Sequence, residues 1–164
     1  MIFVTVGTHE QQFDRLVEYM DNWSMCHDEK VVIQTGYSAY KPTYCEWSKF
    51  FPYQEMIELV KKARIVITHG GPSSFIMPLQ IGKTPIVVPR QKKYDEHVND
   101  HQVKFCHQVE ERMGTIVVVD NIAELGEIID SYNKIKKEEK NMSNNKKFCE
   151  DLDDIVTEMF NLRK

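Results

Sequence analysis

Several features that would assign the chain to a common class are missing. The sequence has no uninterrupted apolar stretch of about 18 residues, the length that a membrane-spanning helix requires. Its formal net charge of -4 lacks the basic excess with which nucleic-acid-binding proteins grip phosphates. Its 4 cysteines include no C-x-x-C pair, which argues against zinc-knuckle and thioredoxin-like motifs. We therefore expect no nucleic-acid partner, reduced thiols and a cytoplasmic location.

Three motifs that mark catalytic or nucleotide sites are also missing. The sequence has no G-x-x-x-x-G-K-[ST] P-loop, no G-x-G-x-x-G dinucleotide fingerprint and no G-x-S-x-G nucleophile elbow. A Ser-His-Asp hydrolase remains an alternative, because the chain contains Ser73, Ser74, His69, His101 and Asp100. Without the elbow, this alternative is weaker than a binding role for the same residues.

The sequence has the composition of a folded domain. Hydrophobic residues make up 41% and charged residues 28% of 164 residues, enough to bury a core. We expect residues 1–164 to form a single domain, with a C-terminal helix over 141–164. The first residues, MIFVTVG, carry no basic leader and predict a buried strand rather than a signal peptide.

Short β-branched runs alternate with segments of helical periodicity. This alternation is typical of an α/β fold with a parallel sheet and helices on both faces. Apolar spacing predicts crossover helices over 12–23 and 53–62 and a helix after residue 121. Residues 44–51 alternate polar and aromatic side chains and predict an additional strand. The five main strands are expected at 2–6, 31–34, 64–68, 85–88 and 115–119.

Polar segments follow three of these strands, at the edge where doubly wound sheets bind ligands. The segment His69-Gly70-Gly71-Pro72-Ser73-Ser74 combines flexible glycines, a proline suited to the first helical position and two hydroxyls. Such a helix N-terminus suits a diphosphate, although a tight turn that needs glycine only for its dihedral angles stays open. Gly7-Thr8 follows the first strand and is expected to converge on the same site.

The third polar segment runs from Arg90 into Glu96-His97-Val98-Asn99-Asp100-His101-Gln102, which we expect to open a helix. On a helix, His97 and His101 would face the same way and could pair on a metal. No third ligand is apparent at a suitable spacing, so we expect no metal. Asp100, His101 and Gln102 are better matched to the hydroxyl groups of a sugar.

Together these motifs resemble one family, the family 28 glycosyltransferase C-terminal domain. Within it, the sequence is similar to stand-alone subunits of capsule and exopolysaccharide synthesis, often β-1,4-galactosyltransferases, and to the cytosolic subunit of the dolichol-linked N-acetylglucosaminyltransferase. The resemblance covers roughly the first 120 residues and depends on four motifs in order: Val4 to His9, His69 to Ser74, Gly82 to Arg90 and Glu96 to Gln102.

The resemblance implies a Rossmann-like domain that forms the C-terminal half of a GT-B fold and binds a UDP-sugar. It implies inverting transfer of a hexose, galactose being favoured, to a lipid-pyrophosphate-linked sugar in capsule or exopolysaccharide synthesis. The acceptor-binding half would be a separate membrane-anchored subunit, which would hold this chain at the inner face of the cell membrane. No cofactor and no metal are expected.

The resemblance also implies roles for individual residues. His9 is the local candidate for the catalytic base. The donor diphosphate would lie against Gly7, Thr8, Gly70, Gly71, Ser73 and Ser74. The nucleoside would lie against Phe51, Pro52, Tyr53 and Met77. The donor sugar would contact Arg90, Asn99, Asp100, His101 and Gln102.

One departure concerns the ribose. Many relatives carry a glutamate where this chain has Met77, followed by Pro78, which we expect to distort the helix. Either another group such as Gln80 substitutes, or donor binding is weak until a partner is present. The alternative function is therefore a non-catalytic module with a donor-like site that regulates or scaffolds a partner glycosyltransferase.

Overall fold

A computed structural model describes residues 1–135. Six strands and five α-helices alternate along this part of the chain, with short 3₁₀ turns at Lys92–Tyr94 and Ile122–Glu124. The strands are β1 Ile2–Thr5, β2 Val31–Gln34, β3 Glu46–Ser48, β4 Ile65–His69, β5 Ile86–Val88 and β6 Val117–Val118. The helices are α1 Asp14–Met25, α2 Tyr53–Lys62, α3 Pro72–Gln80, α4 His101–Met113 and α5 Leu125–Ile135.

All neighbouring strands pair in parallel, in the order β3-β2-β1-β4-β5-β6. The five predicted main strands and the additional strand within 44–51 are confirmed, with ends shifted by a few residues. Strands β1 and β4 are neighbours at the centre of the sheet. Strands β2 and β3 follow β1 toward one edge, and strands β5 and β6 follow β4 toward the other. The crevice between the ends of β1 and β4 is therefore the topological switch point, where doubly wound folds bind ligands.

Alternate residues of the buried strands pack against helices on opposite faces. Ile2 and Val4 of β1 contact the layer formed by α1 and α5, whereas Phe3 packs with Val60 of α2 on the other face. Phe75 of α3 and Cys106 of α4 continue that second layer over β5. Burial on both sides explains why these strands appear in the sequence as continuous apolar runs.

Two expectations about helix boundaries need correction. Helix α4 begins at His101 rather than near Glu96, because residues 95–100 form a turn and a run of bends. His97 is therefore not on the same helix as His101, and the spacing that could have paired them on a metal does not apply. Pro78 lies in the last turn of α3, where the helix ends two residues later in any case.

Two acidic residues of α1 hold the segment that leads to β3. The Asp21 carboxylate is fully buried and accepts hydrogen bonds from the Thr43, Tyr44 and Cys45 amides. Asp14 accepts from the amides of Ala39 and Tyr40. Side chains of a helix therefore replace regular secondary structure in fixing this segment.

Within residues 1–135, no helix is both long and apolar enough to cross a membrane. The predicted C-terminal helix over 141–164 lies outside the described residues.

Candidate active site

A cleft of about 720 Å³ opens at the carboxyl ends of β1 and β4, at the switch point of the sheet. One wall is polar and contains the loop after β1 and the start of α3. The other is largely apolar and comes from α2 and the segment before it. The lining residues are Thr5, Gly7, Thr8, His9, Glu10, Gln34, Phe51, Tyr53, Met56, Val60, His69, Ser73, Ser74 and Met77.

The cleft brings together many of the residues that the sequence analysis singled out. Those that line it are Gly7, Thr8, His9, Phe51, Tyr53, Ser73, Ser74 and Met77. Those outside its lining are Pro52, Gly70, Gly71, Arg90, Asn99, Asp100, His101 and Gln102. Both polar turns predicted to converge therefore do so, whereas the residues expected at the sugar lie beside the cleft rather than in its wall.

The loop after β1 makes a tight turn at Gly7. Its φ of +77° is in the left-handed region, and a Cβ there would lie 2.3 Å from Nε2 of His69. Only glycine satisfies both conditions. The Gly7 amide donates to Oγ1 of Thr5 at 3.2 Å, so this amide is occupied within the chain.

Two of the amides at the start of α3 are already hydrogen-bonded within the chain. The Gly71 amide donates to Nδ1 of His69 at 2.9 Å, and the Ser74 amide donates to the Gly71 carbonyl at 3.0 Å. Among the described residues, the amide of Ser73 has no hydrogen-bond partner. The groups available to an anion here are thus the Ser73 amide and the Ser73 and Ser74 hydroxyls, supported by the helix dipole.

His69, which ends β4, is a central polar residue of the cleft. Its Nε2 lies 2.8 Å from Oγ of Ser74. Burial lowers the pKa of the His69 imidazole to about 4, with a further contribution from the positive charge of Arg90. Because Nδ1 accepts an amide hydrogen, no carboxylate orients this ring as a Ser-His-Asp triad requires. The hydrolase alternative is therefore not supported at His69, and His101, the other candidate histidine, does not line the cleft with the two serines.

His9 lies exposed at the mouth of the cleft. Its Nδ1 accepts the Gln11 amide at 3.2 Å, and its ring centroid is 5.7 Å from that of His97. A neutral imidazole that accepts through Nδ1 carries its hydrogen on Nε2 and presents a donor. This arrangement favours a role for His9 as a hydrogen-bond donor over its predicted role as the catalytic base. Within residues 1–135, no three His, Cys, Asp or Glu side chains are grouped to hold a metal ion.

The apolar wall is placed by Gln34, which sequence reasoning missed. Its side chain donates to Oγ1 of Thr5 at 3.2 Å and to the Gly7 carbonyl at 3.4 Å, and its carbonyl accepts the Phe51 amide at 3.4 Å. The Phe51 ring packs edge-on against Phe3. A polar residue that ends an otherwise apolar strand was the signal that could have identified Gln34.

The expectation for Arg90 is corrected by its burial. The side chain is fully buried, and its guanidinium donates to the carbonyls of Val6, Gln11, Gln12 and Glu96. Burial lowers its pKa to about 10, so the group stays charged at neutral pH. Arg90 therefore joins the loop after β1 to the loop after β5 and presents no donor to a sugar in the cleft.

The remaining residues expected at the sugar stabilise the segment before α4. Oδ1 of Asp100 accepts the Lys92 amide at 2.9 Å, and Oδ1 of Asn99 accepts the His101 amide at 3.0 Å. Oε1 of Gln102 accepts the Arg90 amide at 3.2 Å. His97, through its packing on His9, brings this segment to the cleft mouth. A contact between these residues and a donor sugar stays a prediction.

A second groove of about 630 Å³ runs along α1. Its main basic group, Arg15, forms a two-pronged ion pair with the buried Glu96 at 2.8 and 2.9 Å. These charges satisfy each other, and none of the predicted site residues lines this groove. The cleft at the switch point is therefore the candidate active site.

The fold is similar to that of a solved glycosyltransferase structure. The chain superimposes on the glycotransferase of kitacinnamycin with a TM-score of 0.53 and 16% identity, over 82% of this chain and 37% of that one. A likeness to the glycosyltransferase SnogD from Streptomyces nogalater has a TM-score of 0.40 and 15% identity, over 80% and 42%. The chain thus spans less than half the length of either protein. No curated protein matches it.

The six-stranded parallel sheet with helices on both faces confirms the expected C-terminal half of a GT-B fold. The sequence profile of the "Glycosyltransferase family 28 C-terminal domain" matches residues 1–157. This match covers nearly the whole chain, and the chain therefore belongs to the family 28 glycosyltransferase C-terminal domains.

Proposed function

We propose that this chain is the donor-binding subunit of a two-protein glycosyltransferase that uses a UDP-sugar. The observation that carries the proposal is the cleft at the switch point, where the turn at Gly7 and the start of α3 converge. A diphosphate placed there would meet the Ser73 and Ser74 hydroxyls at the positive end of a helix dipole. Family membership makes a sugar nucleotide the expected ligand.

The same groups suit the chemistry of glycosyl transfer. When the bond between the sugar and the diphosphate breaks, negative charge develops on the leaving UDP. Hydroxyl and amide donors fixed before the reaction stabilise this charge without having to reorganise. We assign this role to the Ser73 amide and to the hydroxyls of Ser73 and Ser74.

The uridine is assigned to the apolar wall of the cleft. Tyr53 begins α2 and Phe51 lies two residues before it, while Met56 and Met77 extend the surface toward α3. A flat base packs well on such a surface. Met77 cannot accept a hydrogen bond from the ribose hydroxyls as a carboxylate would, so the ribose should be bound weakly.

The transferred sugar and its acceptor follow from the resemblance of the motifs. We propose inverting transfer of a hexose, galactose in the first instance, to a sugar on a lipid pyrophosphate in capsule or exopolysaccharide synthesis. A membrane-anchored subunit would bind the acceptor and hold this chain at the cytoplasmic face. The reactive hydroxyl of the acceptor would then lose its proton to a base supplied by that subunit or by Glu10, the one carboxylate among the described residues that lines the cleft.

Calorimetric titration with UDP, uridine, UDP-galactose and UDP-N-acetylglucosamine tests the proposal. UDP should bind more tightly than uridine, and the double variant Ser73→Ala, Ser74→Ala should lose about tenfold or more of the UDP affinity. Ser131→Ala is the matched control, because its hydroxyl bonds carbonyls within α5, away from the cleft. Equal binding of UDP and uridine would refute the diphosphate site.

A second candidate is a non-catalytic module, which Met77 in the cleft wall favours. Transfer assays with the acceptor-binding subunit separate the two functions. A catalytic subunit should convert the UDP-sugar to UDP and lengthen the acceptor, whereas a scaffold should bind its partner without turnover.

A further inference from the structure

The side chain of His69 is held rigidly in the structure. Its side chain ends β4, is almost fully buried and lies between two glycines. A Cβ added to Gly7 or to Gly71 would lie 2.3 or 2.2 Å from atoms of the imidazole ring. The ring therefore occupies the space that side chains at these two positions would take, and it can hardly rotate.

The hydrogen bonds of this ring determine where its hydrogen lies. Nδ1 accepts the Gly71 amide hydrogen at 2.9 Å and so carries none of its own. A neutral imidazole then carries its hydrogen on Nε2, 2.8 Å from Oγ of Ser74. With its pKa lowered to about 4 by burial, the ring is neutral at neutral pH. His69 is thus the donor and the Ser74 oxygen the acceptor.

This bond restricts what the Ser74 hydroxyl hydrogen can do. A serine in a helix commonly turns its hydrogen back to a carbonyl of the preceding turn, as Ser131 does toward Glu127 at 2.7 Å. In the part of the chain that the structure describes, Ser74 makes no such bond, although its side chain lines the cleft. Its hydrogen is therefore free for a ligand.

We infer that His69 is a positioning residue that holds the Ser74 hydroxyl so that it donates a hydrogen bond to the diphosphate of the UDP-sugar. This inference rests on the proposed function, because it needs an anionic ligand in the cleft. It assigns His69 no direct contact with the diphosphate. His69 acts through Ser74, and its contribution should therefore vanish when the serine hydroxyl is absent.

Two substitutions separate positioning from the structural role of the ring. In His69→Asn the side-chain oxygen can still accept the Gly71 amide two residues on, but no group reaches Ser74. In His69→Gln the longer amide can place a nitrogen donor near the position of Nε2. We expect His69→Asn to lower the affinity for UDP about tenfold while the affinity for uridine is unchanged. His69→Gln should restore part of the lost UDP affinity.

A double-mutant cycle gives the decisive comparison. In the Ser74→Ala background, His69→Asn should cause no further loss of UDP affinity, since the group through which His69 acts is gone. Losses that multiply in the double variant would overturn the inference while leaving the donor site intact. If no variant and not even the wild-type chain binds UDP, the proposed function fails and this inference fails with it.

A measurement on the wild-type protein requires neither ligand nor folded variants. Nitrogen-15 NMR of the imidazole groups shows which ring nitrogen carries hydrogen. The structure predicts hydrogen on Nε2 of His69 and no titration of this ring near neutral pH. Hydrogen on Nδ1, or a ring that becomes protonated near neutral pH, would overturn the inference whatever the outcome of the titrations.

Discussion

Replacing Asp21 with asparagine should destabilise the protein far more than the loss of one surface charge. Both carboxylate oxygens accept hydrogen bonds: Oδ1 from the amides of Tyr44 and Cys45 at 2.8 and 3.0 Å, and Oδ2 from the Thr43 amide and the Tyr40 hydroxyl at 2.9 and 3.0 Å. Asparagine offers only one acceptor oxygen. Its amino group must therefore face donors that need an acceptor.

The cost can be worked from these contacts. The amino group fits best at the Oδ2 position, because the Tyr40 hydroxyl can turn to accept from it whereas the Thr43 amide cannot. One buried amide then loses its acceptor, at a cost of about 1–3 kcal/mol. The two bonds at Oδ1 change from charge-assisted to neutral, at about 1 kcal/mol each. The Asp21→Asn variant should therefore lose about 3–5 kcal/mol of unfolding free energy, the sum of these costs.

Asp14 provides a matched control on the same helix. It accepts the amides of Ala39 and Tyr40 through Oδ1 alone, at 2.7 and 3.1 Å, so asparagine can retain both bonds. Asp14→Asn loses mainly its charge near the N-terminus of α1, which contributes about 0.3–1 kcal/mol. Urea unfolding of both variants should give a difference in unfolding free energy of about 2–5 kcal/mol between them, obtained by subtracting these estimates.

The pH dependence gives a second readout. Burial disfavours the charged form of Asp21, but the Thr43 and Tyr44 amides and the Tyr40 hydroxyl outweigh it, so the pKa lies below its ordinary value. This stabilisation is present above the unfolded pKa of about 4 and is lost as the pH falls through the lower folded pKa. The difference in unfolding free energy between wild type and Asp21→Asn should therefore decrease as the pH falls through that window. Equal stability of the two asparagine variants would refute the reasoning.

Three further predictions concern the cleft. Gly7→Ala should abolish measurable UDP binding in calorimetry, because its Cβ would displace the His69 ring; unchanged affinity would contradict the described turn. Met77→Glu should raise the affinity for both uridine and UDP about tenfold, because the carboxylate gives the ribose hydroxyls a hydrogen-bond acceptor. An increase in affinity for neither ligand would show that Met77 does not face the nucleoside. His9→Gln should keep transfer activity within a few-fold, since glutamine preserves a donor, whereas loss of a base would cost about 10²–10⁴-fold.

The fold was accessible from the sequence because its signals are local. Strands buried on both faces appear as continuous β-branched runs, and Pro72 after two glycines marks the start of α3. The two polar turns could be placed together because parallel strands end at one edge of a sheet. The position of the cleft could therefore be predicted from topology and from motifs that lie within a few residues of each strand.

The missed features depend on contacts between distant residues. Arg90 follows a strand at the ligand-binding edge, as a sugar-binding residue would, but its guanidinium bonds carbonyls near the N-terminus, 78 to 84 residues earlier. The role of His69 depends on the Gly7 loop, which is far away in sequence. No periodicity shows such contacts. His97 was misplaced because a local pattern of polar residues continued the helix beyond its actual start at His101.

A crystal structure of the chain with UDP tests the central claim most directly. The account predicts the diphosphate between the Gly7 turn and the hydroxyls of Ser73 and Ser74, with the uracil against the wall that contains Phe51 and Met77. The nucleotide bound instead in the groove along α1, or with its phosphates away from the start of α3, would contradict it.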